Sequence, residues 1–297
     1  MGVVETQTST CNAARLAVLR AKTRAAIFLA GRAPSSLSGI GLEYADFRDY
    51  EEGDDVKHID WRLTARSLSA SGDYRLIVRE YRVEKRLRVI FVLDVTASMG
   101  FGKKMATMAY VVAMLAEAST HLEDEVGLVL LAGDKCNIIP RITPALVPYV
   151  LVHNVCKMPP FGSLRLSAAL DAIKKLRVRG LMVVVTDYAN DPGDYVRLAD
   201  YAASTGNGLV FFLVYDRWEI KPPVDALVSL VDPETGTFFS GRLRELYSEL
   251  ASHVSTIRSY LRVKHARFIE IGGLSEAERR SWELLSVFMR AREAVLR

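Results

Sequence analysis

The chain has 297 residues, half of them hydrophobic and a quarter charged, with a formal net charge of +4. That length accommodates one large domain, alone or with a smaller companion, and the composition excludes a disordered chain. The 39 lysines and arginines are spread along the sequence rather than gathered into a basic stripe, which argues against nucleic acid as a partner.

The cysteines Cys11, Cys136 and Cys156 are far apart and odd in number, with no C-x-x-C pair, so the expectation is three reduced thiols in a cytosolic protein. No run reaches the ~18 uncharged apolar residues of a membrane helix, and no basic segment leads into a long apolar one. The sequence therefore reads as cytoplasmic, without a membrane anchor. Gln7 is the only glutamine, a scarcity of thermolabile amides found in heat-adapted proteins.

In chain order, residues 8–31 read as a helix, with Leu16, Leu19, Ile27 and Leu29 as its apolar positions and Gly31 at its end. Residues 32–86 are polar and rich in Asp, Arg and Tyr. They contain the turn signal Glu51-Glu52-Gly53-Asp54-Asp55, and loose alternation over 73–84 predicts a strand. Within this segment Arg48, Arg62 and Arg66 are matched for bidentate pairing with Asp46, Asp54 or Asp60, and Ile59, Trp61, Leu63 and Ala65 offer apolar anchoring. From Arg88 the pattern changes. Val89 to Leu93 is a continuous apolar run, the mark of a strand buried on both faces. Further strands are predicted at 126–131, 137–142, 181–185, 209–215 and 268–271, and helices at 103–122, 144–157, 164–177, 192–205, 242–263 and 275–296. This alternation predicts an α/β fold with a doubly wound, mostly parallel sheet covered by helices on both faces. The division expected is an N-terminal extension over 1–86 and the α/β domain over 87–297.

In such sheets ligands bind beyond the carboxyl ends of the strands, where strand order reverses. The first strand is followed by Asp94-Val95-Thr96-Ala97-Ser98, the strand at 181–185 by Thr186-Asp187, and Gly162-Ser163-Leu164 opens a helix between them. Two carboxylates and three hydroxyls at one sheet edge suit a hard cation, which takes oxygen ligands and keeps waters. Asp, Ser and Thr also cap helices, so either cluster alone is unspecific, and their joint placement is what points to a site. Asp94 is also a candidate phosphoaspartate nucleophile. That chemistry wants a second Asp two residues on as general acid, and Thr96 stands there. Gly100-Phe101-Gly102-Lys103 lacks the glycine of a phosphate loop at Ala97 and its hydroxyl at Lys104.

Asp94-x-Thr96-x-Ser98, with Ser163 and Asp187, resembles the metal-ion-dependent adhesion site of von Willebrand factor type A domains. The resemblance implies that Thr96 and Ser98 ligate Mg²⁺ (or Mn²⁺ or Ca²⁺) directly. Asp94 and Asp187 would act through water, Ser163 would stand in for the usual Thr, and a partner's carboxylate would complete the shell. Ahead of it, Gly41-Leu42-Glu43-Tyr44, Arg48-Asp49-Tyr50, Gly53-Asp54-Asp55-Val56-Lys57-His58-Ile59-Asp60-Trp61-Arg62 and Ala65-Arg66 resemble the signature of the domain of unknown function 58 family, over roughly residues 30–220. The hydroxyl-rich site has no nucleophile–base pair beside it, which points to a non-enzymatic interaction module, and this second resemblance implies what it acts with. Its partners would be a MoxR-type AAA+ ATPase, in the assembly or maturation of other proteins, and a client protein donating the carboxylate. The alternative is a Mg²⁺-dependent phosphohydrolase using Asp94. Many bacterial members of that family are membrane-anchored near the N-terminus, an anchor not expected here.

Overall fold

Alanine rather than leucine faces inward from the first helix, α1 (Gly2–Leu29). Cys11, Ala14, Ala17, Val18, Ala21 and Ala25 are buried at three- and four-residue spacing, whereas Leu16, Leu19 and Ile27, the expected inward positions, are exposed. Small side chains let two helix backbones approach closely, and a leucine stripe would hold them apart. The computed structural model describes residues 2–29, 46–51, 54, 56, 59–67, 75–80, 86–176, 179–220, 227–231 and 238–296. The chain divides into two units, one joining residues 1–33 to 86–297 and the other spanning 34–85. The boundary expected at residue 86 therefore shifts: α1 belongs with the large sheet rather than with the signature segment. Gly31, Gly41 to Tyr44, Gly53, Asp55, Lys57 and His58 lie outside the described residues.

In the smaller unit, β1 (Asp46–Asp49) runs antiparallel to the later β2 (Ile77–Glu80), and the short helix α2 (Trp61–Thr64) lies between them in sequence. Asp60 caps α2, accepting from the backbone N–H of Arg62 at 3.0 Å and of Leu63 at 3.1 Å. Arg48 grips Asp54 in a fork of two 2.7 Å bonds, and Asp54 also accepts from Glu51 N at 2.9 Å, which fixes the turn. Of the expected apolar anchors, Ile59 is buried and bridges to Val78, while Trp61 is exposed.

The larger unit continues with β3 (Arg88–Val95), α3 (Lys104–His121), β4 (Glu125–Ala132), β5 (Lys135–Ile142), α4 (Val147–Lys157) and α5 (Leu166–Leu176). Then come β6 (Leu181–Thr186), α6 (Pro192–Thr205), β7 (Gly208–Tyr215), α7 (Arg217–Ile220), the hairpin β8 (Leu227–Val231) and β9 (Phe238–Arg242), α8 (Leu243–Val263), β10 (Arg267–Gly272), α9 (Leu274–Arg279) and α10 (Ser281–Leu296). Six strands form one sheet in the order β10-β7-β6-β3-β4-β5, parallel throughout except where β5 runs against β4. Successive strand side chains point to opposite faces. Ile90, Val92, Val129, Met182, Val184 and Phe211 pack with α5, α6 and α8 on one side, while α3 and α10 lie against β6 and β7. The fold is thus α/β, a mostly parallel sheet flanked by helices. After β5 the chain returns to the far side of β3 to make β6, so strand order reverses between β3 and β6.

Three further features depart from the sequence reading. Cys11 and Cys156 form a disulfide across 145 residues of sequence, with Cα atoms 4.8 Å apart, and only Cys136 is free. The pair is bridgeable because α1 packs beside α4, a tertiary fact that cysteine spacing does not encode. The hairpin β8–β9 adds to the expected elements: its Leu227 and Phe238 are exposed, so it lacks the alternation of a half-buried strand. The final helix, expected unbroken over 275–296, divides at Arg280. The Arg280 side chain donates to Glu270 O at 2.8 Å and to Glu276 and Glu283, while the Ser281 hydroxyl donates to Glu278 O at 2.6 Å. Among the described residues no helix is long and apolar enough to cross a membrane.

Candidate functional site

The apolar run of β3 ends at Leu93, and the next residue, Asp94, is 1% exposed. A carboxylate buried this deeply must have its charge met by donors or cations. Asp94 Oδ1 accepts from Thr96 N at 3.1 Å and from Thr96 Oγ1 at 2.6 Å, the local turn that Asp makes with the residue two positions on. Its Oδ2 accepts from Thr186 Oγ1 at 2.6 Å, at the end of β6, and from Asn190 Nδ2 at 3.0 Å. All four donors are neutral, and they occupy the four acceptor positions of the carboxylate. Asn190 turns its other face to Leu166 N, 2.9 Å away, so the start of α5 is tied to the same cluster. Ser98 Oγ lies 3.4 Å from Thr96 Oγ1 in the 3₁₀ turn Ala97–Gly100 that follows β3.

Asp187, 2% exposed, is held differently. Its Oδ1 accepts from Ala189 N at 2.9 Å, and its Oδ2 accepts from Lys104 Nζ at 2.8 Å. Lys104 opens α3 and is itself 2% exposed. Its ammonium also donates to Glu219 on α7, whose other oxygen accepts from Asp216 N at 2.8 Å. A helix running straight inward from the strand-end loop carries its first-turn lysine to the sheet edge.

Electrostatics separate the two halves. Burial pushes the Asp94 carboxyl above its usual range and the charge of Asp187 pushes it further, against the hydrogen bonds from Thr186 and Thr96. Burial pulls the Lys104 ammonium down, but Asp187 and Glu219 together outweigh that pull and hold it above its ordinary value. Burial raises Glu219, with Lys104 opposing. Lys104 bridges two carboxylates, Asp187 and Glu219, while Asp94 meets only neutral donors, so carboxyl groups outnumber cationic side chains among the described residues of the cluster.

Ser163 sits apart from the buried group. Gly162 donates no side chain and takes φ +75; a Cβ there would lie 2.4 Å from the backbone of Gly133. This close approach lets Gly162 O accept from Ala97 N at 3.0 Å, anchoring the 162 loop beside the 3₁₀ turn. Ser163 follows on the exposed rim, lining a shallow cleft with Asp134 and Asp171. The structure therefore gathers Asp94, Thr96, Ser98 and Asp187 at the reversal of strand order and places Ser163 at its margin.

Sequence reasoning missed Lys104, Asn190 and Glu219. Lys104 had a signal: it is the second of two lysines at the head of a helix otherwise apolar for several turns, directly behind a strand-end Asp. Asn190 and Glu219 had none, since both reach the site through tertiary packing. The group implied by the sequence, a divalent cation, fits the donors present. Thr96 and Ser98 offer neutral hydroxyl oxygens, Asp94 fixes the Thr96 hydroxyl by accepting its hydrogen bond, and each Asp187 oxygen accepts one hydrogen bond among the described residues. The surplus of carboxyl groups over cationic side chains favours such an ion.

A family model described as "Protein of unknown function DUF58" matches residues 46–252. Uncharacterized proteins of Mycobacterium bovis and Mycobacterium tuberculosis are 26% identical over 208 residues, covering 67% of this chain and 63% of theirs. The chain thus spans less than two thirds of these relatives' length. Among solved structures, the conserved hypothetical protein BatB from Bacteroides thetaiotaomicron shares 17% identity at a TM-score of 0.45, over 69% of this chain and 98% of that one. An aerotolerance-related membrane protein from Bacteroides fragilis, carrying multiple mutations to serines, shares 17% at 0.41, over 67% and 99%. Likenesses this distant carry no weight for function. The family match runs over well more than half of the sequence and includes the strand-end carboxylates, so the chain belongs to the DUF58 family.

Proposed function

We propose that this chain is a non-enzymatic protein-interaction module of von Willebrand factor type A-like design, whose binding depends on a divalent cation at a metal-ion-dependent adhesion site. Thr96 and Ser98 would ligate Mg²⁺ (or Mn²⁺ or Ca²⁺), Asp187 would hold its waters, Asp94 would serve the site by orienting the Thr96 hydroxyl, and Ser163 would contribute from the rim. A bound ion supplies an open coordination position for a carboxylate from a client protein. The observation that carries this reading is the saturation of Asp94 by four neutral donors, one of them the Thr96 hydroxyl. That bonding commits the Thr96 proton inward and leaves its lone pairs for an ion.

The same observation weighs against the phosphohydrolase reading. A carboxylate whose acceptor positions are all filled has no lone pair to attack phosphorus, and Thr96 cannot act as the general acid. Membership of the DUF58 family, together with the resemblance of its signature segment, supports a MoxR-type AAA+ ATPase as the partner with which the module acts in assembling or maturing other proteins.

The test is calorimetric titration of chelator-stripped protein with Mg²⁺ and Mn²⁺, beside Thr96→Ala. The expected result is one saturable site that disappears in the variant while the melting temperature is retained. Absence of saturable binding of either ion, also with acetate supplied in place of the partner's carboxylate, overturns the proposal.

A further inference from the structure

We infer that Lys104 is a tethered competitor that sets how tightly this site takes a divalent cation, and that Glu219 on α7 tunes the competition. The inference rests on the metal-binding reading above and names how that site is regulated.

Lysine is almost never fully buried unless it is paired, and Lys104 is both buried and paired twice. Its two carboxylates come from different parts of the fold, Asp187 from the end of β6 and Glu219 from α7. The chain also contains a buried ion pair of a purely structural kind. Asp124, between α3 and β4, is gripped by the planar guanidinium of Arg292 on α10, far from the strand-end loops. That pair uses the rigid fork suited to fixed geometry. The strand-end site instead uses a compact ammonium on a flexible stem, aimed at one of the carboxylates proposed to serve the ion.

Cation sites set their affinity largely by the count of charges around the ion. Lys104 cancels one negative charge from that count in two ways: it takes up Asp187 Oδ2, and its own positive charge, held on a carboxylate proposed to serve the ion, repels the ion. Glu219 works in the opposite sense. It adds a negative charge and shares the ammonium, so less of the Lys104 charge is directed at Asp187. Because Glu219 sits on a four-residue helix with Asp216 at its head, a partner engaging α7 would change the division of the ammonium between the two carboxylates.

The experiment is titration of the full, chelator-stripped chain with Mn²⁺ alone, followed by calorimetry and by the loss of the free-ion electron paramagnetic resonance signal, for wild type, Lys104→Met and Glu219→Gln. Thermal melting checks that each variant is folded. Lys104→Met is expected to bind at least about tenfold more tightly and Glu219→Gln several-fold more weakly, since charges in a half-buried site act through a low effective dielectric. Opposite signs from neutralising two residues that touch each other are what a merely structural pair would not give. Wild type that is silent with Mn²⁺ alone but binds it when acetate is supplied, beside clear binding by Lys104→Met without acetate, also supports the inference. Unchanged affinity in Lys104→Met, or variants that move the same way, overturns it while leaving the metal-binding reading intact. No binding by any of the three proteins removes both. If Lys104→Met fails to fold, Glu219→Gln decides alone: weaker binding supports the inference, and equal or tighter binding overturns it.

Discussion

Asp94 and Asp187 are the same residue type, at the ends of adjacent parallel strands, buried to the same degree, yet their charges are met by opposite means. Asp94 is held by neutral groups, two of them from its own loop. Asp187 is held by a buried ammonium brought from α3, in a chain of charge that ends on α7. A neutral cage leaves the negative charge in place and directs hydroxyl oxygens outward, while an ion pair cancels charge and links distant elements. The site is therefore asymmetric: one half offers oxygen ligands, and the other half meters the charge around them.

The largest effect that would sharpen this contrast comes from Lys104→Ala. Removing one partner of a buried ion pair strands the other, so a loss of about 3–5 kcal/mol in urea unfolding is expected. Asp187→Asn added to that variant should restore part of the loss, because no unpaired charge then remains at that position. Asp94→Asn added to the same variant should restore less, since its own donors are neutral and lose an acceptor. Equal rescue by both would show that the two carboxylates share the ammonium, and the contrast would break.

A smaller effect lies in the pH dependence, where the two halves act on opposite limbs. Lys104 is held above its ordinary value of 10.5, so its stabilising contribution is complete below that pH and is lost as pH rises through the folded value. Asp94 is raised above 3.8, so the folded chain holds that proton more tightly than the unfolded one. Stability then falls as pH rises from 3.8 through the folded value. Stability curves of wild type minus Lys104→Met should be flat up to about pH 10 and narrow above it. The difference between wild type and Asp94→Asn should change with pH only from about 3.8 up to the folded value of Asp94 and stay constant above it. A Lys104→Met curve parallel to wild type at high pH would contradict the ion-paired half.

The fold was legible where burial is two-sided. Val89 to Leu93, Leu181 to Val185 and Leu209 to Val214 are continuous apolar runs because both sheet faces are covered, and their short length and β-branched content set them apart from the longer apolar stretch of α3. From those strands the positions of Asp94, Thr96, Ser98 and Asp187 followed directly. Legibility failed where contacts, not periodicity, decide. The inward stripe of α1 is alanine because α3 lies close against it, and a sequence reader assigns the stripe to leucine. The Cys11–Cys156 bond depends on that same packing. Lys104 reads as a solvated helix start, since lysines at helix ends are ordinarily exposed. Only the depth of α3, apolar on every side through Leu115, places its first turn inside the molecule.

The smallest expected effect tests whether the neutral cage stands by itself. Thr186→Val removes one of the four donors to Asp94 and the acceptor that Asn190 Nδ2 meets at 3.1 Å, while keeping the shape of the side chain. A net loss of about 1 kcal/mol is expected, the ordinary worth of a hydrogen bond exchanged against water, with an addition for the remaining buried charge. Because Thr186 belongs to the Asp94 half, the same loss should appear in the Lys104→Ala background, to within the ~0.5 kcal/mol at which independent sites add. A coupling beyond that margin would mean that the hydroxyls and the ammonium form one network. Metering of the cation by Lys104 would then act through the Asp94 cage as well as through Asp187.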